Sequence, residues 1–175
     1  MALALEKKLI KLDDMVDVSK NIKISGYQIK DFKKIKEEIS IRDIFVRSSN
    51  IGTSKIAQKF SDAEQQDFFK NLNLFEPLEI ELIEKSYGNL PRKWGLTRKI
   101  TASYGYGVSI TAIHLIQAVN AIINNGTFLP ATILKGKNDN KLGEKVISTQ
   151  NSSHVRKLMR EVVRRGTARK AFSKG

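Results

Sequence analysis

The stretch from Thr111 to Gly126 constrains the fold more than any other part of this sequence. Thr111 is a helix-capping residue type. After it, Ala112, Leu115, Ile116, Val119, Ile122 and Ile123 recur at helical spacing and form an apolar stripe. Asn124-Asn125-Gly126 supplies a helix exit, with the glycine free to take a left-handed backbone. Three further helix signals lie along the chain. Ser40-Ile-Arg-Asp43 resembles a capping box and puts Ile41, Ile44 and Phe45 on one helix face. Ser61-Asp-Ala-Glu64 repeats the signature and opens a helix carrying Phe68, Phe69 and Leu72. Ser152 or Ser153 begins a last helix, in which Val155, Leu158, Met159, Val162 and Val163 bury. There Arg156, Lys157, Arg160, Arg164 and Arg165 face out.

The remaining segments are less regular. Residues 1–10 continue as a helix, and Lys11 to Ser25 reads as loop and short extended pieces. Ile22 and Ile24 alternate with polar neighbours, as in an exposed strand. A loop-rich middle holds Pro77, Gly88, Pro91 and Gly95, and Lys135 to Lys145 is a polar, exposed loop.

Composition excludes several classes of function. With 175 residues, 41% apolar and 28% charged, the chain is at most one globular domain. It has no cysteine, hence no disulfide framework and no thiolate metal site. His114 and His154 are lone histidines, so each reads as a surface or packed residue and no metal is expected. Gly105-Tyr-Gly107 lacks the third glycine of a phosphate loop, because position 110 is Ile. It reads as a close-packed turn, and no cofactor is expected. The most apolar stretch, Val108 to Ile123, contains His114, Gln117 and Asn120, and is too short and polar to span a bilayer. No signal segment is visible, so the chain expressed alone would be cytoplasmic. The net charge of +13 comes from dispersed lysines without aromatic interleaving or zinc-finger spacing. It reads as a solvated basic surface, with only weak and sequence-indifferent nucleic-acid binding expected.

One ordered series of short motifs points further. It begins with Ser48-Ser49-Asn50 and continues with Glu84-Lys-Ser-Tyr-Gly88-Asn-Leu90-Pro91. Tyr104-Gly-Tyr-Gly107-Val-Ser-Ile-Thr111, Asn124-Asn-Gly126-Thr-Phe-Leu-Pro130 and Val162-Val-Arg-Arg-Gly166-Thr167-Ala follow. Alone, Ser-x-Asn is a weak pattern that helix-end chemistry also produces. In order and over nearly the whole chain, the series resembles the transpeptidase domain of class B penicillin-binding proteins, the FtsI-type peptidoglycan cross-linking enzymes. The resemblance implies an α/β domain of the DD-peptidase and β-lactamase type. This chain would be a mainly helical piece of it, residues 1–175, lacking most of the central sheet.

That family uses Ser-x-x-Lys, Ser-x-Asn and Lys-Thr-Gly motifs. Only the middle one occurs in these 175 residues. Met1-Ala-Leu-Ala-Leu-Glu6 resembles the middle of the nucleophile helix, and Gly166-Thr-Ala-Arg-Lys-Ala171 the segment just before the Lys-Thr-Gly strand. By this resemblance Ser48 is the proton shuttle, Asn50 the substrate-orienting amide and Ser49 a spacer; Glu84 and Trp94 have structural and packing roles. The intact domain would act on peptidoglycan stem peptides, be acylated by β-lactams and face the periplasm from the inner membrane. The chain alone is expected to be inactive, with no nucleophile. Apolar stripes such as Leu115-Ile116-Val119 and Leu158-Met159-Val162 would lack part of their cover. The chain could be a split-gene remnant, a sub-domain or one half of a pair completed by another polypeptide. The alternative from a different class is a basic interaction module without catalysis, docking to a partner fragment or an anionic polymer.

Overall fold

The computed structural model describes residues 1–84, 88, 93–136 and 142–172. Parts of two sequence readings lie outside the described residues: positions 85–87 and 89–91 of the Glu84–Pro91 motif, and 137–141 of the polar loop. Seven α-helices and three two-stranded antiparallel sheets make up the described chain, so it is mainly helical with little sheet. The helices are α1 Ala2–Glu6, α2 Ile41–Val46, α3 Asn50–Ala57, α4 Asp62–Asn71, α5 Leu96–Ser103, α6 Ala112–Ile123 and α7 Thr149–Arg165. The strands are β1 Met15–Asp17, β2 Ile22–Ile24, β3 Tyr27–Ile29, β4 Glu38–Ser40, β5 Thr127–Phe128 and β6 Glu144–Lys145. No helix among the described residues is long and apolar enough to cross a membrane.

Local chemistry sets most element ends. Ile24 pairs with Tyr27, leaving Ser25 and Gly26 as the β2–β3 turn. Both have positive φ, +47° and +82°, which is the two-residue turn matching the strand twist. β4 pairs with β1, Val16 opposite Ile39, and runs straight into α2. Ser40 Oγ caps α2 by accepting from Asp43 N at 3.1 Å. Ser61 and Glu64 form a complete capping box on α4. Thr111 caps α6, and Gly126, at φ +79°, makes the expected left-handed exit.

The core gathers α1, α2 and α3 with single residues from every flank. Ala2 to Leu5, Ile10, Val18, Ile29, Ile39, Ile41, Ile44, Ile51, Ile56, Ile100, Ile147 and Val155 are all buried together. Ile41 and Ile44 are completely buried, and α3 crosses α2 at Gly52. A Cβ at Gly52 would stand 2.5 Å from Ile44 Cγ1, so only glycine allows this approach.

The structure corrects several sequence expectations. The first helix ends at Glu6 rather than near residue 10, because Lys8 turns to φ +55°. Val46, not Phe45, completes the buried face of α2 with Ile41 and Ile44. The middle contains α5, whose Ile100 and Ala102 are buried. Its anchor is polar: the Lys99 ammonium is buried, donating to Phe60 O at 2.8 Å and pairing with Asp62 at 3.1 Å. Finally, α7 starts at Thr149, one turn before Ser152. Ser148 is its cap, and Glu6 Oε2 accepts from Ser148 N (2.9 Å), Ser148 Oγ (3.0 Å) and Asn151 Nδ2 (2.7 Å).

The α6 stripe also faces differently from its reading. The buried face is His114, Gln117, Ala118 and Ala121, while Leu115 and Ile116 are 53% and 66% exposed. Polar pins set this rotation. His114 Nδ1 lies 2.7 Å from Thr111 Oγ1, and its Nε2 2.9 Å from Glu76 O. The histidine is thus a packed one, and small Ala118 and Ala121 let Leu72 approach the helix closely. On α7, Leu158 is completely buried and Met159 is 36% exposed, so only part of that stripe is open. Trp94 packs edge-on to Phe69, ring centroids 6.0 Å apart, and its Nε1 donates to Gln65 Oε1.

Two predictions follow from this packing. Gly52→Ala should destabilise the chain by about 1–3 kcal/mol, because Ile44 has no free volume to yield; chemical denaturation measures it, and unchanged stability would count against the α2–α3 approach. The second concerns acid. Burial alone would raise the Glu6 pKa, but its bonds from Asn151 and Ser148 outweigh this and hold it below the usual value. The Lys7 ammonium and the Ser61 backbone hold Glu64 down to about 2. Both carboxyls bind protons more readily unfolded, so their stabilisation is present above the ordinary Glu range and lost as pH falls through the native values. The melting temperature should therefore fall from about pH 4.5 downward, and Glu6→Gln with Glu64→Gln should flatten that limb.

Candidate functional site

The Ser48–Asn50 turn joins α2 to α3, and each of its three residues has a different environment. Ser49 is the helix cap: it is buried, and its Oγ accepts from Gly52 N at 2.9 Å. That hydroxyl also donates to Asp31 Oδ2 at 2.8 Å. Helix-end chemistry therefore accounts for Ser49, the residue read as a spacer, and leaves Ser48 unexplained.

Ser48 is exposed and sits at φ +53°, a left-handed backbone that a residue with a Cβ adopts only at a cost. Backbone bonds from Ser48 N to Phe45 O (3.2 Å) and from Ser49 N to Ile44 O (3.0 Å) hold the conformation. Its Oγ lies 3.0 Å from Thr167 Oγ1. Either hydroxyl can donate, so the pair can pass a proton in both directions. Asn50 opens α3 and turns its Nδ2 to Lys30 O, 3.1 Å away. Because a carbonyl only accepts, this contact fixes the amide with its NH2 group on Lys30.

The C-terminal end of α7 completes the site. Thr167 N donates to Val46 O at 3.3 Å, and a Cβ on Gly166 would run into that same carbonyl. Ion pairs brace the two helices: Arg165 to Asp43 at 2.7 Å and Arg42 to Glu161 at 2.9 Å, with Arg165 also on Glu161. The Arg165 guanidinium is the main reason that the Glu161 pKa is lowered, and Asp43 and Glu161 raise that of Arg165. The turn that carries Ser48 is thus joined to a segment 119 residues away.

The sequence names Ser48 and Asn50 as candidates and does not name two partners that the structure brings to this turn, Thr167 and Asp31. Thr167 belongs to the Val162–Ala168 motif, but its pairing with Ser48 depends on where α7 ends. Asp31 had no signal, since it lies 18 residues before Ser49 and belongs to no local pattern. Glu84 is exposed, and the part of its motif at 85–87 and 89–91 lies outside the described residues. Among the described residues no group of three His, Asp or Glu side chains could hold a metal ion.

All 175 residues match the family model for the penicillin binding protein transpeptidase domain. The "Probable peptidoglycan D,D-transpeptidase FtsI" of Caulobacter vibrioides is 30% identical over 161 residues, 91% of this chain and 27% of the relative. Peptidoglycan D,D-transpeptidase FtsI of Buchnera aphidicola subsp. Schizaphis graminum is 33% identical over 134 residues, 75% of this chain and 23% of the relative. Two solved structures superpose closely. A peptidoglycan glycosyltransferase from Burkholderia ambifaria gives a TM-score of 0.92 at 26% identity, covering 98% of this chain and 55% of that one. The apo transpeptidase domain of Burkholderia pseudomallei penicillin-binding protein 3 gives 0.91 at 27% identity, covering 98% and 53%. The chain spans 23–27% of the length of these two curated relatives. Since the family model matches from the first residue to the last, the chain belongs to the penicillin-binding protein transpeptidase domain family and is similar to its FtsI-type members.

Proposed function

We propose that this chain is part of a peptidoglycan D,D-transpeptidase domain, and that it supplies one wall of the cleft in which D-Ala-D-Ala stem peptides are cross-linked. The observation that carries the reading is the exposed Ser48 hydroxyl at a left-handed turn, 3.0 Å from Thr167 Oγ1, with the capping duty taken by Ser49. In acyl transfer to and from a serine, a proton must leave the nucleophile and reach the departing amine. Ser48 can relay it, since a hydroxyl donates and accepts at once. Asn50 can hold the substrate backbone through Oδ1, with its NH2 group already engaged by Lys30. A β-lactam would occupy the same place as the stem peptide. The intact domain would work at the periplasmic face of the inner membrane.

The nucleophile is a separate matter. No serine among these 175 residues is followed three positions on by lysine, and neither Lys-Thr-Gly nor Lys-Ser-Gly occurs. We therefore assign the chain a partial catalytic apparatus, inactive until Ser-x-x-Lys and Lys-Thr-Gly segments are joined to it in cis or brought by a second polypeptide. The dispersed lysines favour this reading over that of a basic interaction module, which would require a concentrated cationic surface.

The test is acylation by a labelled penicillin, followed by intact-mass analysis. The 175-residue chain alone should form no adduct. Fused at both ends to the family segments carrying the two other motifs, it should acylate, and Ser48→Ala should slow the reaction by about 10²-fold or more, the usual cost of removing a positioned proton carrier. An adduct on the isolated chain, or acylation indifferent to Ser48, would overturn the proposal.

A further inference from the structure

We infer that Asp31 is the positioning residue of the Ser48–Asn50 turn. The inference rests on the role proposed above for that turn. Asp31 follows β3, whose last residue, Ile29, is buried in the core, so Lys30 and Asp31 are held at a fixed place. From there they reach three successive residues of the motif region. Asp31 Oδ2 accepts from Ser49 Oγ at 2.8 Å, and Asp31 Oδ1 accepts from Ile51 N at 3.0 Å. Lys30 O accepts from Asn50 Nδ2 at 3.1 Å.

Each of these bonds has a directional consequence. Donation to Asp31 commits the Ser49 proton, which turns an oxygen lone pair of that hydroxyl towards Gly52 N, 2.9 Å away. Ile51 N would otherwise be one of the unpaired donors at the start of α3. The carboxylate also places negative charge at the positive end of α3. The larger consequence falls on Ser48, whose hydroxyl pairs with Thr167 and not with Asp31. A serine keeps φ at +53° only if both of its flanks are fixed. One flank is α2, through the bonds to Phe45 O and Ile44 O. The other is the Ser49–Ile51 segment, whose polar anchor outside the α2–α3 hairpin is Lys30-Asp31, beside the burial of Ile51 in the core. Removing the carboxylate should let the turn relax towards a right-handed backbone and draw Ser48 Oγ away from Thr167.

A simple helix cap would predict something different, and this separates the two roles. Loss of a cap frays α3 and leaves Ser48 where it was, whereas loss of a positioning residue moves Ser48. The experiment is NMR of the isotopically labelled full chain with Asp31→Ala, which removes both acceptor oxygens. We expect the Ile51 amide to exchange about tenfold faster, the equivalent of one hydrogen bond. We also expect the Ser48 HN–Hα coupling and Cβ shift to leave their left-handed values. Amides of α7 between residues 155 and 162 should be unchanged, which controls for folding. In Ser49→Ala, Ile51 should stay protected, because its acceptor is Asp31.

Unaltered Ser48 signals in Asp31→Ala would overturn the inference, as would loss of Ile51 protection in Ser49→Ala. The acylation test of Ser48 reports on the proposed function whatever Asp31 does, and these spectra report on Asp31 whatever Ser48 does. Failure of one is therefore distinguishable from failure of the other.

Discussion

The approach of α3 to α2 at Gly52 is the contact on which the rest of this structure depends. Ile44 is fully buried, and its side chain occupies the space that a Cβ at position 52 would need. Two short helices joined by a tight turn are individually weak, since neither is long enough to be stable alone. Packed at this distance they share Ile41, Ile44, Ile51 and Ile56 with a core that also takes in α1, β3 and α7. The turn between them is consequently a rigid part of the molecule, and Ser48 can be held in a conformation that a free loop would abandon.

Charge acts in this protein through particular pairs rather than through its total. Surface ion pairs are each worth about 0–1 kcal/mol, so the Arg42–Glu161 and Arg165–Asp43 bridges matter chiefly for where they lie. They align the end of α7 with α2, and Thr167 then reaches both Val46 O and Ser48 Oγ. Lys99 shows the opposite regime. It is buried, so its ammonium must be matched, and Phe60 O and Asp62 do so.

The outward face of α6 separates apolarity from burial. A period-3.6 pattern says that a helix has two faces, and the more apolar one is normally covered. Here Leu115 and Ile116 stand open while His114 and Gln117 are buried. Two hydrogen bonds on the His114 ring decide the rotation, and the small side chains of Ala118 and Ala121 supply the close contact. A leucine or isoleucine at either alanine would keep Leu72 further away.

Much of the architecture could be read directly from local chemistry, because caps, turns and helix periods act over three or four residues. Ser40, Ser61, Thr111 and Gly126 mark element ends in the sequence and mark them in the structure. Ser48-Ser49-Asn50 stood out only through the ordered motifs downstream, and the family assignment is confirmed over the whole chain. The start of α7 was misplaced because its cap is reinforced by Glu6, 142 residues earlier. α5 escaped notice because its anchor is a buried lysine rather than an apolar stripe. Asp31 was invisible because its two bonds cross 18 and 20 residues. The sequence by itself determined the caps, the periods of most helices and the place of the Ser48-Ser49-Asn50 turn, since each depends on near neighbours. Only the tertiary structure decided which serine caps, which serine is presented and what holds it there, because those bonds join segments that nothing but the fold brings together.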